Sequence, residues 1–165
     1  MTIMETEAVG LGELKVGTRQ GQVLVCYGLG SCIGVALYDP LVHVGAMLHV
    51  VLPDSSLSRG REAPPGKYAD TGVAAAVDAI VRAGASRGRV TARLAGGARM
   101  LNLANGNAKL DIGARNDEAV RAALQHHGIR LVADDVGGTY GRTLQLHIGT
   151  GRLLVSTVGR GEREL

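Results

Sequence analysis

Two short apolar runs, Ile33 to Leu37 and Val44 to Leu52, are closed by Asp39-Pro40 and by Pro53. Few folds accommodate such a pair. Both are rich in β-branched and aliphatic residues and end at residues that interrupt regular structure, so they read as neighbouring strands. Folding back with Asp39 to Val42 as a four-residue loop sets position i against position 81 minus i, which places Cys32 opposite His49. Directly opposed residues share a face with Cβ atoms about 4.5–5.5 Å apart. That separation suits a thiol–imidazole hydrogen bond of the kind that activates a cysteine nucleophile. A slip of one residue would instead put the two side chains on opposite faces.

Upstream, Val25-Cys26-Tyr27-Gly28-Leu29-Gly30-Ser31 reads as a strand running into a glycine turn. Gly28 and Gly30 allow positive φ and close backbone approach just before Cys32. Such a turn can expose the sulfur and aim the N–H groups near Gly30, Ser31 and Cys32 at a developing oxyanion. The plainer reading is a glycine-broken strand with one buried cysteine, since free cysteine is among the most buried residue types. A zinc site from Cys26, Cys32 and His49 lacks a fourth ligand and a familiar spacing. Gly28-Leu29-Gly30 opens a dinucleotide fingerprint, but its third glycine is displaced and a strand, not a helix, follows. No cofactor and no metal are therefore expected.

Further segments give these residues a context. Leu29-Gly30-Ser31-Cys32, Leu37-Tyr38-Asp39-Pro40, Gly45-Ala46-Met47-Leu48-His49 and Leu52-Pro53 are followed by Pro65-Gly66-Lys67-Tyr68-Ala69-Asp70, Ala95-Gly96-Gly97-Ala98, Gly113-Ala114-Arg115-Asn116 and Gly137-Gly138. In this order, from about Gly10 to Val158, the chain resembles the CheD family of chemoreceptor glutamine deamidases. The resemblance implies a cysteine amidohydrolase that converts receptor glutamines to glutamate, with Cys32 as nucleophile and His49 as base. It also implies two kinds of partner: the cytoplasmic helices of methyl-accepting chemoreceptors, and a CheC-type phosphatase. An adaptor that works mainly by binding is the second functional class the resemblance supports. The family usually has threonine or serine six residues before the nucleophile, where this chain has Cys26. A sulfur is a weaker hydrogen-bond partner than a hydroxyl. Either position 26 orients His49, or a backbone carbonyl does and Cys26 is an ordinary strand residue.

Composition narrows the rest. With no Phe, no Trp and four Tyr, the chain lacks the rings that stack single-stranded nucleic acid, and no nucleic-acid partner is expected. The net charge of +3 is scattered and suits a modestly acidic protein partner. No charged segment leads into an apolar one at the start, and no run approaches about 18 apolar residues. The expectation is a cytoplasmic protein, without membrane insertion, whose two cysteines stay reduced.

The remaining elements follow in order. Met1 to Ala8 reads as a loose terminus, and the ends as a whole (1–9 and 159–165) as loose flanks of one domain over 1–165. Glu13 to Val16 is a first strand, and Asp54 to Lys67 is a loop, either a lid or a plain connection. Tyr68 to Ala83 is a helix capped by Asp70 or Thr71, with Val73, Val77, Ile80 and Val81 on its apolar face and Gly84 after it. Arg89 to Ala95 is a strand, and Ala98 to Asn105 a short helical turn. A second helix has Asn116 as N-cap and Gly128 as its close. Ile129 to Ala133 is a strand, and Thr143 to Ile148 with Leu153 to Val158 forms a hairpin that leaves His147 on the wet face. Asp134, Asp135 and Arg115 either pair with one another or help shape the pocket. These pieces predict an α+β domain: mixed and antiparallel sheets packed face to face, with helices on the outside.

Overall fold

Aliphatic and small residues dominate Ile33–Asp39 and Val44–Val50, and every residue of both strands is buried. Strands of this kind must be covered on both faces, and a computed structural model, which describes residues 3–100 and 111–165, shows what covers them. The elements run β1 (Glu5–Ala8), β2 (Leu14–Gly17), β3 (Gln22–Leu29), β4 (Ile33–Asp39), β5 (Val44–Val50), α1 (Ala69–Arg82), β6 (Thr91–Gly96), α2 (Ile112–His126), β7 (Arg130–Val136), β8 (Arg142–His147), β9 (Leu153–Thr157) and β10 (Gly161–Glu164). One sheet has the order β1-β3-β8-β9-β10 and the other β2-β5-β4-β6-β7.

Each sheet is mixed, with a single parallel pair, β1 with β3 and β6 with β7, among antiparallel neighbours. The two pack face to face, and both helices lie on the far side of the second sheet. Ile33, Val35, Leu37, Ala46, Leu48 and Val50 point toward Val73, Val77, Ile80, Val120 and Leu124 of the helices. Ala36, Tyr38 and Met47, of opposite parity, point toward Leu24, Leu144, Leu146 and Val155 of the first sheet. The predicted α+β architecture is the observed one, with the helices confined to one side. None of the described helices is long and apolar enough to cross a membrane.

The polar residues expected to cap α1 have other work. Tyr68 occupies the N-cap position without a side-chain bond. Asp70 instead accepts from Ser55 N–H (3.0 Å) and Ser55 Oγ (2.6 Å), and Thr71 Oγ1 donates to the Pro65 carbonyl (2.6 Å). These bonds fasten the Asp54–Lys67 loop at both ends. Val81 is exposed, so the apolar stripe of α1 runs through Ala69, Val73, Ala76 and Ile80.

The two ends also depart from expectation. Glu5 to Ala8 lie in register with Gln22 to Val25, and Gly161 to Glu164 pair with Leu154 to Thr157. Both are edge strands rich in charge, a composition that reads as loose in sequence but also suits an edge that must not recruit other strands. The turn expected over Ala98 to Asn105 lies mostly outside the described residues.

The β4–β5 hairpin closes between Asp39 and Val44, so its loop is 40–43 and its register sum is two larger than predicted. Asp39 causes the shift. Its buried carboxylate accepts from Leu41 N–H (3.0 Å), Ser86 N–H (2.8 Å) and the Arg89 guanidinium (3.1 Å), which holds it in the strand. His43 then turns the corner at φ +53°.

Burial works against the Asp39 carboxylate, but Arg89 and the two N–H groups outweigh it and bring its pKa from 3.8 to about 2. Because the folded pKa lies below the unfolded one, the unfolded chain takes up this proton first. Stability from Asp39 is therefore present at neutral pH and drains away as pH falls from about 5 toward 2. Chemical denaturation across that range should show a fall in stability that is smaller in Asp39→Asn, which is already destabilised by about 1–3 kcal/mol at pH 7.

Candidate active site

The chain passes between the two sheets three times at the same end of the sandwich, the last time through residues 137–141 from β7 to β8, and the first two crossings carry the residues of interest. It leaves β1 through Val9–Glu13 to enter β2, and leaves β3 through Gly30–Cys32 to enter β4. Hydrogen bonds hold the first crossing on both sides: Val9 N–H donates to Val25 O (2.7 Å), Gly12 N–H to His49 O (2.9 Å), and His49 N–H to Glu13 O (3.1 Å). Before the second crossing, β3 loses its register with β8 between Cys26 and Leu29, where Gly28 adopts φ +58°. This bulge lets Leu29 re-enter the inter-sheet core and delivers Gly30-Ser31-Cys32 to the rim.

His49 faces Gly34, not Cys32. The two-residue slip preserves parity, so Cys32 and His49 still share the inter-sheet face and lie diagonally across the strand pair. Across from His49, Gly34 leaves room for side chains of the first sheet. A Cβ on Gly34 would come 2.9 Å from Leu29 Cδ1, 3.0 Å from Leu144 Cδ2 and 3.7 Å from Cys26 Sγ. His49 is 4% exposed, and its Nδ1 lies 2.9 Å from the carbonyl of Val9. A carbonyl can only accept, so Nδ1 carries the proton and Nε2 presents a lone pair. Nε2 is buried and makes no hydrogen bond among the described residues. A ring nitrogen without a partner thus lies on the face shared with the Cys32 sulfur, and the thiol–imidazole hydrogen bond expected from the sequence is not made among the described residues.

The glycine turn is tied down by its carbonyls. Gly30 O accepts from Ala98 N–H (2.8 Å), Ser31 O from Asn116 Nδ2 (3.0 Å) and Cys32 O from Gly97 N–H (2.9 Å). The Cys32 bond needs glycine across the way: Gly96 sits at φ +113°, and a Cβ there would overlap the Cys32 carbonyl. Among the described residues, neither Ser31 nor Cys32 donates its N–H to another residue. Burial pushes the Cys32 thiol up, while its own backbone N–H, directed at the sulfur, pulls the other way.

Cys26 belongs to the inter-sheet core and is fully buried. Burial first, then the charges of Cys32 and Glu13, drive its pKa far above that of a free thiol. It makes no hydrogen bond to His49 among the described residues. The orienting partner that the structure provides for the imidazole is the Val9 carbonyl. Asp134 pairs with Arg121 of α2 (2.9 Å), and Asp135 with Arg142 (3.0 Å) and Arg163 (2.9 Å) of the first sheet. A cleft of about 600 Å³ opens beside the bulge, lined by Gly28, Tyr140, Arg142 and Thr157, but neither Cys32 nor His49 lines it.

The match to known proteins covers this framework. Residues 51–157 fit the family model described as CheD chemotactic sensory transduction. The chain is 75% identical over all of its 165 residues, and all of the relative's, to a protein of Symbiobacterium thermophilum named "Probable chemoreceptor glutamine deamidase CheD". It is 45% identical over 157 residues, 95% of each chain, to the Thermotoga maritima protein named "Chemoreceptor glutamine deamidase CheD". The chain belongs to the CheD family.

A crystal structure of the Bacillus licheniformis hypothetical protein YfiH aligns with TM-score 0.49 and 15% identity, over 82% of this chain and 60% of that one. Within the CheD fold, three contributors to the site escaped the sequence reading. The Val9 carbonyl has no sequence signature. Gly96 and Gly97 were visible only as part of a family motif following a strand, with no role assigned to them. Asn116 was taken for an N-cap, a place that Asp111 fills by accepting from Ala114 N–H (3.0 Å). The signal that would have found Asn116 is periodicity, since it continues the Val120–Leu124 stripe one turn back and is buried with it.

The two thiols differ in burial, and their reactivity should follow. Iodoacetamide should modify Cys32 alone in the native CheD fold, at a rate that climbs only above the ordinary cysteine range, and both thiols after denaturation. Intact-mass and peptide mapping across pH measure this; equal labelling of Cys26 in the native state would contradict its placement.

Proposed function

We propose that the protein is a glutamine deamidase of chemoreceptors, acting through Cys32 and His49 in a thioester mechanism. The observation that carries the reading is the free Nε2 of His49, presented on the same inter-sheet face as Cys32 in a chain whose relatives bear that name. As the glutamine carboxamide arrives, Nε2 takes the Cys32 proton and the sulfur attacks the carboxamide carbon. Negative charge collects on the amide oxygen, where the N–H groups of Cys32 and Ser31 stabilise it. Gly30 takes part by letting the turn approach closely. The imidazolium then gives its proton to the departing nitrogen, and ammonia leaves with the C–N bonding electrons. Water, deprotonated by the same Nε2, hydrolyses the γ-glutamyl thioester to glutamate and restores the thiol.

Val9 O keeps the proton on Nδ1 throughout, so that Nε2 remains the working nitrogen. On this account position 26 contributes shape and not proton handling. Cys26→Thr and Cys26→Val should have kcat values within about two-fold of each other, a difference below 0.5 kcal/mol in barrier. A Thr variant clearly faster than the Val variant would return a hydrogen-bonding role to position 26.

The deciding experiment incubates a chemoreceptor cytoplasmic fragment with the wild-type protein, Cys32→Ala or His49→Ala. Mass and ammonia release are followed together. Wild type should convert amide to acid at specific glutamines, and both variants should be inactive while keeping the wild-type melting curve. Full activity of Cys32→Ala would overturn the mechanism. A Cys32→Ala protein that still supports chemotaxis and binds a CheC-type phosphatase would favour a role through binding.

A further inference from the structure

Asn116 is an unusual occupant of an apolar helix stripe. It lies within α2, fully buried, with Val120 and Leu124 following at four-residue intervals. Its Nδ2 donates to Ser31 O (3.0 Å) and to Val51 O (2.9 Å). Both partners are carbonyls, so only the amide NH₂ end can face them, which fixes the orientation of the side chain. Ser31 immediately precedes Cys32, and Val51 lies two residues beyond His49. One side chain therefore ties the strand end that carries the sulfur to the strand end that carries the imidazole. This is where the β4–β5 pairing needs such a tie, because its ladder stops at Ile33 and Val50. Past that pair, no backbone bond joins the two strands among the described residues.

The fold also keeps α2 close enough to make the tie. Gly113, one turn before Asn116, packs against the carbonyls of Gly97 and Ala98, an approach that any Cβ would prevent. Gly97 and Ala98 in turn donate to Cys32 O and Gly30 O. The helix thus bears on the turn through both its backbone and the Asn116 amide. The remaining oxygen of that amide, Oδ1, is buried with no partner among the described residues. An unpaired buried acceptor is unfavourable, so the Asn116 position is explained by its donors.

We propose that Asn116 is a positioning residue for the reaction: its amide sets the spacing and tilt of Cys32 relative to His49 by holding the Ser31 and Val51 carbonyls together. It touches neither substrate nor reacting atom and acts through the Ser31–Cys32 peptide, whose N–H faces the sulfur. The inference rests on the Cys32–His49 reading of the site.

Two variants separate positioning from plain stability. Asn116→Asp keeps the shape but removes both donors, and Asn116→Ser keeps one short donor in a smaller side chain. With a receptor fragment as substrate, kcat should fall about ten- to hundred-fold in Asn116→Asp. The Asn116→Ser value should lie between that and wild type, and KM should change little in either. The second readout needs no deamidation: the pH profile of Cys32 alkylation by iodoacetamide should move toward that of a free thiol as the turn loosens. A merely structural residue would lower the melting temperature and leave kcat and this profile where they are; that result, in whichever variant folds, overturns the proposal. Cys32→Ala runs alongside. If it is inactive while Asn116→Asp retains full kcat and the wild-type profile, positioning by Asn116 fails alone. If Cys32→Ala is fully active, the Cys32–His49 reading fails, and this proposal with it.

Discussion

Three successive carbonyls, those of Gly30, Ser31 and Cys32, are held by Ala98 N–H, the Asn116 amide and Gly97 N–H, and the geometry of the site depends on that arrangement. A peptide plane whose oxygen is held points its N–H the opposite way. Holding the oxygens on the α2 and β6 side therefore leaves the Ser31 and Cys32 N–H groups free of other residues, as an oxyanion site requires. A short turn between two sheets would otherwise be a weak place to put a nucleophile, since it belongs to neither ladder. Each bond is worth about 0.5–1.5 kcal/mol net, and their combined effect is to give a half-buried corner the definition of a core strand.

The glycines at this corner serve the same end by different means. Gly28 supplies a positive φ that breaks register and brings β3 to the rim. Gly34 withholds a side chain opposite His49, so that Leu29 and Leu144 can pack directly against the β4 backbone. Gly96 allows the backbone of β6 to lie against the Cys32 carbonyl. A chain without Phe or Trp fills its core with aliphatic residues, and Gly34 on the inner face of β4 lets these two, from the first sheet, lie against its backbone. The site is compact because its walls are backbone.

Much of this was legible in the sequence, and the reasons for the rest are specific. The face shared by Cys32 and His49 was read correctly although the register was not, because a slip of two residues preserves the alternation of a strand. The slip itself comes from Asp39, whose bonds to Ser86 and Arg89 join residues more than forty positions apart and have no local signature. Helix α1 was found by its stripe, but Asp70 and Thr71 were misread because a capping residue and a loop fastener have the same composition. The charged ends looked loose because edge strands are polar by necessity. Asn116 was misassigned for a related reason: asparagine near a helix start suggests a cap, and only tertiary contact reveals it as a buried tie.

The departure at position 26 then has a physical explanation. A histidine base needs one nitrogen fixed and the other free, and the fixing group can be any acceptor in the right place. Here the carbonyl of Val9 meets Nδ1 at 2.9 Å, delivered by a crossing that is itself hydrogen-bonded to both Val25 and His49. A backbone acceptor is independent of side-chain identity, so the residue at position 26 is released from that duty and is constrained mainly by volume. Cysteine satisfies the volume: it is small, tolerates full burial, and with its pKa driven up it stays a neutral thiol in the core near Cys32. A serine or threonine there would need its own partner for a buried hydroxyl. An orienting carbonyl at Val9 and a sulfur at position 26 are thus mutually consistent: the way the first crossing is pinned leaves that position able to be a cysteine.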